Sequence, residues 1–521
     1  MKKISIAFYA FFLLNTLQAQ TVTGFVFEDL NQNGKKERRE PGIPGVAVSN
    51  GEMVVLTDDA GKYELPVSED DVIFVIKPSE FDVPVDDNNL PQFFYIHKPQ
   101  GSPVSYQFKG VSPTGSLPKS VDFGLFPGVK QSKFSALIFG DPQPYNMDQL
   151  DYFDKGVVSE VEGIEGIDFG ISLGDIVGDD PDLFKPYAKV IGKIGVPWYS
   201  VMGNHDMNFD AQEDRLSDES FTANFGPATY AFNHGEAHFI VLENILYPDP
   251  RDGQGYWGGF RPDQLKFIEN DLKTVSNDKL IVLFMHIPLF EEGDSFRDAD
   301  REKLLELLSD FPNTVSLSAH THYMKQTFFG KEDGYMQEKP HHHFNIGTPS
   351  GDWYSGEMDE ELAVPTSTMR DGSPNGYVFM DFDGVSYVAR YKPARRSADY
   401  QIEIFTPKAI KQGARTSAGF YANFFTGTKN DDVKFRINDG EWKKMNNIED
   451  YDPSYLVEMF RWDTSETPLE GRRPSNPVRT DHLWRTAIPA GLPVGEHTLE
   501  VMAEDMYGNT HYASKKFRVV D

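Results

Sequence analysis

Five short polar clusters lie across the middle of the chain, and each follows an apolar run. In chain order they supply Asp-x-Gln, Gly-Asp, Gly-Asn-His-Asp, a single His, and His-x-His. Imidazole nitrogens mixed with carboxylate and amide oxygens, without any thiolate, suit Mn, Fe, Zn or Ni at catalytic positions with open coordination. A closed structural zinc site would be expected to use Cys, and the chain has none. The clusters therefore predict two adjacent divalent metal ions.

Two divalent cations about 3.5–4 Å apart need a ligand that bridges them, and a carboxylate does this best. We assign the bridge to Asp175. The first metal site is completed by Asp141, Gln143 and His322, and the second by Asn204, His286 and His320.

The elements that must position these residues follow from the pattern around them. Each apolar run has strand length and ends at a candidate ligand, and helix-like stretches lie between the runs. Alternating strands and helices predict a layered α/β core, in which side chains at strand ends converge on one crevice. Glycines directly before Asp141, Asp175 and Asn204 allow sharp turns and close approach of the metals. We predict strands at 134–139, 167–173, 198–202, 280–285 and 314–318, and helices at 151–162, 182–194, 263–274 and 300–308.

This ordered set resembles the calcineurin-like metallophosphoesterases, with their Asp-x-His, Gly-Asp, Gly-Asn-His-Asp/Glu, His and Gly-His-x-His motifs. The resemblance covers roughly residues 134–383 and implies a four-layer α-β-β-α core. Gln143 stands where many members have His, and Ala319 stands where many have Gly. The Trp353 loop and the segment 371–377 are similar to a bacterial secreted subfamily with additional N-terminal and C-terminal β domains.

Two metal ions predict hydrolysis of a phosphate monoester or diester. They bind two ester oxygens and lower the pKa of a bridging water, so that a hydroxide attacks phosphorus. His205, beside Asn204, is our candidate for the general acid that protonates the leaving alkoxide. Asp206 either orients His205 through a ring-nitrogen hydrogen bond or caps the loop. The motifs do not choose between monoesters and diesters.

A second group of residues follows the last ligands. We expect Trp353 and Tyr354 to contact the organic part of the substrate, because aromatic rings near a metal crevice can form its wall. Residues 371–376 read as turns that join two strands. The triple His at 341–343 is either a third metal site or the entry of a strand, and the strand is favoured.

Residues 1–19 carry two lysines, an apolar stretch and a final Leu-Gln-Ala. This pattern predicts a secretory signal peptide, too short and wrongly flanked for a spanning helix. No other long apolar run occurs, so we expect no transmembrane segment. The predicted location is periplasmic, extracellular or at the cell surface, in a Gram-negative bacterium.

The formal net charge is −30, from 80 acidic and 50 basic residues. This balance argues against nucleic acid as a non-specific partner, since phosphate backbones require a basic footprint. The expected partner is a small phosphate ester that the metals attract locally. The oligomeric state is left open.

β-Rich domains are predicted at 21–126 and 397–521, on either side of a catalytic domain at 130–388. In the first, oxygen-bearing side chains recur at calcium-loop spacing, with Gly34 at the sixth place. The alternative is a turn with solvated acids. A structural calcium ion would be held by Asp29, Asn31, Asn33, Glu37 and Glu40.

The C-terminal domain is predicted to be an immunoglobulin-like sandwich. Its connection at 450–479 exceeds ordinary loop lengths and could reach over the active site. Trp462 and Trp484 could contribute to this cover, although core packing is the favoured role for both. A different class of function stays open: a surface glycan-binding protein in which the phosphoesterase scaffold is degenerate.

Overall fold

The computed structural model describes residues 20–129, 131–290 and 294–521. The predicted signal peptide at 1–19 lies outside the described residues. Within the described ranges, no helix combines the length and the apolar character needed to cross a membrane.

Two neighbouring sheets form the middle of the molecule, and every strand predicted there is present. The five-stranded sheet has the order Trp198–Val201, Phe169–Leu173, Lys133–Phe139, Gly376–Asp383 and Ser386–Pro393. The six-stranded sheet has the order Tyr230–His234, Ala237–Leu242, Leu280–Met285, Asn313–Ser318, His341–Asn345 and Lys325–Phe329. A two-stranded ribbon pairs Ile245–Leu246 with Trp257–Gly258.

The two sheets face each other through aromatic rings, and helices cover their outer sides. The ring centroid of Phe239 lies 5.3 Å from that of Phe169 and 5.7 Å from that of Phe382, and both of these residues belong to the other sheet. On the outside, Phe153 contacts Phe139 at 5.8 Å. The predicted four-layer α-β-β-α core is thereby confirmed. The helices of this core are Met147–Gly156, Phe184–Ile191, Glu219–Phe225, Pro262–Leu272 and Asp298–Leu308.

The first helix begins earlier than predicted because Asn146 caps it, and it ends at Gly156. The Asn146 side chain accepts a hydrogen bond from the backbone N–H of Gln149 at 3.0 Å. The helix Glu219–Phe225 was not predicted. Short 3₁₀ turns occupy Val158–Glu160, Pro181–Leu183, Gly192–Ile194, Asp214–Leu216 and Lys331–Asp333.

The N-terminal region contains two four-stranded sheets. Their buried side chains, including Val26, Val48 and Phe74, belong to the same continuous apolar core as the central sheets. The first sheet has the order Lys62–Val67, Gln20–Glu28, Phe123–Pro127 and Phe81–Asp82, and the second Val54–Leu56, Ala47–Ser49, Asp71–Val75 and Phe94–His97.

The C-terminal region is a two-sheet sandwich with an apolar core of its own, which includes Phe420, Trp484 and Phe517. Trp484 is therefore a core residue. One sheet has the order Ile402–Phe405, Gly419–Phe424, Arg479–Ala487 and Asn446–Tyr451. The other has the order Ala409–Lys411, Thr510–Val520, Gly495–Glu504, Lys434–Ile437 and Lys443–Lys444.

The long connection of the C-terminal region leaves this sandwich toward the central sheets. It contains the helix Pro453–Thr464, which begins after Asp452, whose side chain accepts from the backbone N–H of Tyr455 at 2.8 Å. Its next segment, Gly471–Arg472, pairs antiparallel with Gly356–Glu357. The C-terminal region thus adds a strand beside the Trp353 loop.

Candidate metal centre

The carboxyl ends of strands from both central sheets meet at one crevice. His286 follows a strand of the six-stranded sheet, and its Nδ1 lies 2.8 Å from the carbonyl oxygen of Leu173, which ends a strand of the other sheet. Glycine is required here, because a Cβ on Gly174 (φ 91°) would lie 2.5 Å from His286 Nδ1. A Cβ on Gly203 would lie 1.9 Å from the backbone nitrogen of Asp175. The ligand-bearing loops can approach each other only because these positions have no side chain.

One group of predicted ligands surrounds Asp175. The ligand atoms of Asp175, His286 and His320 all lie within 4.8 Å of one another. His286 Nε2 lies 3.2 Å from Asp175 Oδ1, 3.2 Å from His320 Nδ1 and 3.0 Å from Asn204 Oδ1. The structure therefore brings the predicted bridging carboxylate together with the three residues assigned to the second metal.

The remaining predicted ligands lie beside this group. His322 Nε2 is 3.2 Å from Asp141 Oδ2, and the backbone N–H of His320 donates to Asp141 Oδ1 at 2.9 Å. Gln143 Nε2 donates to Asp175 Oδ2 at 3.2 Å, while its Oε1 is buried without a hydrogen-bond partner. All the predicted metal ligands thus line a single crevice.

Hydrogen bonds to backbone carbonyls determine the tautomers of two of these histidines. A carbonyl oxygen can only accept, so His286 donates Nδ1–H to Leu173, and His322 donates Nδ1–H to the carbonyl of Gly351 at 2.5 Å. Nε2 of each ring then faces a carboxylate oxygen 3.2 Å away. A divalent cation between these two atoms would be bound by both, and backbone support of the second ring nitrogen is typical of metal-bound histidine. The donor set therefore fits two divalent cations.

The pKa values of the crevice reflect the same demand for positive charge. Burial lowers the pKa of His286, but Asp175 outweighs burial and raises it to about 9. Burial, and then His286, lower the pKa of His320 to about 4. Burial raises the pKa of Asp175, yet the neighbouring histidines hold it well below its usual range. Asp175 is therefore a carboxylate that attracts cations.

Backbone strain is present at several predicted ligands. Gln143, Asp175, His320 and His322 have φ angles of 41°, 45°, 71° and 55°. Each such non-glycine residue costs about 1–3 kcal/mol and persists where the surrounding structure enforces it. This strain at a shared crevice supports a functional rather than a merely structural role for these loops.

His205 lies at the edge of the crevice with its ring held by a carboxylate. Its backbone N–H donates to Asp175 Oδ1 at 2.9 Å, and its Nδ1 lies 2.6 Å from Asp179 Oδ1. Its Nε2 points toward Asp175 Oδ2, 4.0 Å away. Burial lowers the pKa of His205, but Asp175 and Asp179 raise it to about 9. These two carboxylates favour the charged form of His205, whose Nε2 is directed at Asp175.

The prediction that Asp206 orients His205 is wrong, and its alternative, a loop cap, is confirmed. Asp206 is fully buried and accepts hydrogen bonds from the backbone N–H groups of Ile176, Val177 and Gly203 at 3.1, 3.0 and 2.7 Å. The residue that sequence reasoning missed is Asp179. The only sequence signal for this role of Asp179 was its position in the turn after Asp175, and many acidic loop residues occupy such positions without a role at a site.

The two aromatic residues predicted to contact the substrate, Trp353 and Tyr354, differ in their burial. Trp353 is partly buried, and its ring lies 4.1 Å from the ring of His322, so its substrate contact stays a prediction. Tyr354 is buried, with 6 % of its surface exposed, and its hydroxyl donates to the carbonyl of Pro142. The prediction for Tyr354 is therefore wrong, because this side chain fastens its loop to the Asp141 loop.

Two exposed tyrosines at the crevice were missed. Tyr145 and Tyr256 are each 37 % exposed. The ring of Tyr145 lies 5.9 Å from His205, and the ring of Tyr256 lies 6.1 Å from His320. Tyr145 could have been found from its place two residues after Gln143, whereas nothing in the sequence links Tyr256 to the site.

The triple His forms strand residues, as favoured, and the third metal site is wrong. Burial lowers the pKa of His341 to about 3 and of His342 to about 4, and the pKa of His343 lies well below its ordinary value. Every ring nitrogen has a hydrogen-bonding partner, which leaves none for a metal. The partners are Thr314, Ser316, Ser318, Leu289, Gln326 and Tyr387.

The predicted calcium loop closes on itself. Asp29 and Glu40 are buried, and Asp29 Oδ2 accepts from the backbone N–H of Gly34 at 2.7 Å. Glu40 Oε1 accepts from the backbone N–H of Leu30 at 3.1 Å. These bonds determine the loop shape, and the ion itself stays a prediction, as do the roles of Asn31, Asn33 and Glu37.

Comparison with known proteins gives three matching family models. They describe the N terminal of calcineurin-like phosphoesterase at residues 30–112, calcineurin-like phosphoesterase at 134–324, and the C terminal of calcineurin-like phosphoesterase at 343–511. No curated protein matches the chain in sequence.

Two solved structures show distant likeness. One is the purple acid phosphatase PPD1 from yellow lupin (Lupinus luteus) seeds, 14 % identical over 72 % of this chain and 67 % of that chain, with a TM-score of 0.35. The other is GAP50, described as the anchor in the inner membrane complex of Plasmodium, 17 % identical over 51 % and 86 %, with a TM-score of 0.33. At these TM-scores the assignment to a family rests on the family models.

Proposed function

The chain belongs to the calcineurin-like phosphoesterases, a family of metal-dependent phosphoester hydrolases, and we propose that it hydrolyses a small phosphate ester with His205 as the general acid. The observation that carries this proposal is that Nε2 of His286 and Nε2 of His322 each face a buried carboxylate oxygen at 3.2 Å. A degenerate glycan-binding scaffold is disfavoured, because the predicted ligand set is complete and lies in one crevice.

The bound ions, His205 and Asp179 have different roles in the proposed reaction. Two divalent ions, when bound, supply polarisation of the ester and activation of water. In its charged form His205 donates Nδ1–H to Asp179 and carries its second proton at Nε2. With Asp175 bound to a cation, Asp179 remains to keep the pKa of His205 raised. His205 can therefore donate its Nε2 proton to the leaving alkoxide.

The first experiment measures hydrolysis of 4-nitrophenyl phosphate and bis(4-nitrophenyl) phosphate by the mature chain, with added Mn and with a chelator. We expect chelator-sensitive turnover that Asp175→Asn lacks, because this substitution removes the proposed bridge. The preferred ester then separates monoesterase from diesterase. Turnover that survives both the chelator and the substitution would overturn the proposal, as would a protein with neither turnover nor bound metal.

The acid role of His205 is tested with leaving groups of different basicity. His205→Gln should lower kcat by about 10²-fold to 10⁴-fold for an alkyl ester, whose alkoxide needs a proton. The loss should be smaller for a 4-nitrophenyl ester, because nitrophenolate leaves without protonation. Equal losses for both esters, or loss of bound metal, would contradict the assignment.

We also propose export through a signal peptide at residues 1–19, supported by the two lysines and the apolar stretch that follows them. Amino-terminal sequencing of the secreted or periplasmic protein should begin near Gln20. A chain that retains Met1 outside the cytoplasm would contradict this proposal.

For the N-terminal loop we propose one structural calcium ion, supported by the calcium-loop spacing and by the buried carboxylates of Asp29 and Glu40. Calcium should raise the thermal midpoint of the full-length chain, since a ligand that binds only the folded state stabilises it. Asp29→Asn separates this loop from the metal centre, because binding at the centre persists in the variant. An equal calcium-dependent shift in both proteins would sink the idea.

A further inference from the structure

The C-terminal region delivers an arginine to the rim of the metal centre. Arg472 lies on the segment that pairs with Gly356–Glu357, and its Nη1 donates to the carbonyl of Trp353 at 3.0 Å. The ring of Trp353 covers the predicted ligand His322 at 4.1 Å. Arg472 is thus one residue removed from a proposed metal ligand, although it lies far from the ligands in sequence.

Arg472 differs from Arg461 and Arg473 by having no carboxylate partner among the described residues. Arg461 pairs with Glu357 at 2.6 Å, and Arg473 pairs with Asp463 at 2.6 Å. Among residues 20–129, 131–290 and 294–521, no carboxylate lies within ion-pairing distance of Arg472, whose side chain is exposed. Within the part of the chain that the structure describes, the Arg472 side chain donates one hydrogen bond, to the carbonyl of Trp353, which leaves its other N–H donors for solvent or a ligand.

We propose that Arg472, held beside the Trp353 loop, binds a second anionic group of the substrate, so that the preferred substrates are phosphate esters whose organic portion carries a carboxylate or another phosphate. This inference rests on the proposed phosphoesterase function. A guanidinium presents several donors in a planar fork that matches carboxylate and phosphate oxygens. The anchoring bond to the Trp353 carbonyl holds this fork in place and leaves donors free for the substrate.

The alternative role for Arg472 is purely structural, as a tie between the C-terminal region and the Trp353 loop. That role predicts that removing the guanidinium weakens all ligands alike. Anion recognition predicts a loss confined to ligands with the second negative charge. The two roles are therefore distinguished by the ratio of the affinity for a ligand with the second negative charge to the affinity for a matched ligand without it.

The test uses two phosphonates that cannot be hydrolysed and that differ in one group, 3-phosphonopropanoate and butylphosphonate. Each is measured as an inhibitor of the aryl ester that the full-length chain hydrolyses, for wild type, Arg472→Gln, Arg472→Lys and the neighbouring control Arg473→Gln. We expect wild type and Arg473→Gln to bind the carboxylate-bearing phosphonate about tenfold more tightly, as for a hydrogen bond between charged groups. Arg472→Gln should abolish this ratio, and Arg472→Lys should keep part of it.

The outcomes are distinct. A ratio near one in wild type, or a ratio that Arg472→Gln leaves unchanged while both affinities fall, overturns the role of Arg472 and leaves the phosphoesterase intact. A wild-type chain that hydrolyses neither aryl ester and binds no metal removes the proposed function and this inference together. A preference that weakens with added salt in wild type but is absent in Arg472→Gln supports the inference, since exposed charges are screened.

Discussion

The N-terminal and C-terminal regions join the catalytic sheets in opposite ways. The N-terminal region shares one apolar core with them: Phe74 lies 5.7 Å from Phe267 of a catalytic helix, and Phe93 lies 5.1 Å from Tyr230. The C-terminal region has its own core. Phe425, Tyr400 and Val478 pack against the catalytic core, the Tyr507 ring lies 6.3 Å from the Tyr387 ring, and buried hydrogen bonds join the two regions beside them.

The buried hydrogen bonds among His482, Asn423 and Asp371 form a polar junction between the C-terminal region and the catalytic sheets, and this junction lies close to the metal centre. His482 of the C-terminal region lies 3.1 Å from Asp371, which also accepts from the backbone N–H of Met324, two residues after His322. Residues 371–376 form the predicted turn, since Asp371 Oδ1 accepts from the backbone N–H of Ser373 at 2.9 Å. Apolar burial is strong but non-directional, whereas hydrogen bonds set orientation. The difference indicates that the N-terminal region stabilises the catalytic unit and the C-terminal region positions groups at its crevice.

The largest effect is expected where the core is shared. Phe74→Ala should lower the free energy of unfolding by about 3–5 kcal/mol, because it leaves a cavity between the N-terminal sheets and a catalytic helix. Calorimetry should show this loss in the transition of the catalytic unit. The matched change Phe420→Ala, in the separate C-terminal core, should lower a different transition. A single unfolding transition that both variants lower equally would contradict the conclusion that the C-terminal region has a separate core.

A smaller, pH-dependent effect is expected at the polar junction. His482 Nδ1 donates to Asn423 Oδ1 at 2.7 Å and Nε2 faces Asp371, so the ring is an imidazolium. Burial lowers the pKa of His482, but Asp371 outweighs it and raises the pKa above its ordinary value. Because a raised pKa stabilises the folded state below the ordinary value of about 6.5, this contribution is lost as pH rises through the folded value.

His482→Gln should therefore cost about 1–3 kcal/mol at pH 6, and the difference from wild type should shrink toward pH 9. Thermal melts of both proteins across this range measure it. Asp452, 3.2 Å from the same Asn423, has its pKa raised to about 6 by burial and titrates below most of this range. A difference that stays constant from pH 6 to pH 9 would show that His482 is neutral at the junction.

The smallest effect is expected at the exposed ion pair between Arg461 and Glu357, whose side chains are 53 % and 33 % exposed. Arg461→Gln should change stability by about 0.2–1 kcal/mol, because solvent screens such pairs. Chemical denaturation with and without salt measures the change. A loss comparable to that of His482→Gln would mean that the junction does not depend on its buried groups.

Much of the catalytic fold could be predicted from the sequence, because its strands are apolar runs that end in glycine and polar ligands. The helix at 147–156 began earlier than predicted since capping by Asn146 outweighed the periodic pattern. The helix Glu219–Phe225 was missed because it is too short for a periodic signal. Tyr354 was misassigned because sequence shows that a ring is near the site but not which way it points.

The sequence by itself determined which residues could bind metals and the order in which they follow their strands. It could do so because ligand chemistry is a property of side-chain type, and strand ends are local. Only the tertiary structure decided that Asp179 rather than Asp206 orients His205, that Tyr256 reaches His320, and that Arg472 lies at the crevice. These contacts join segments that are distant in the chain or set by side-chain direction, which no local pattern encodes.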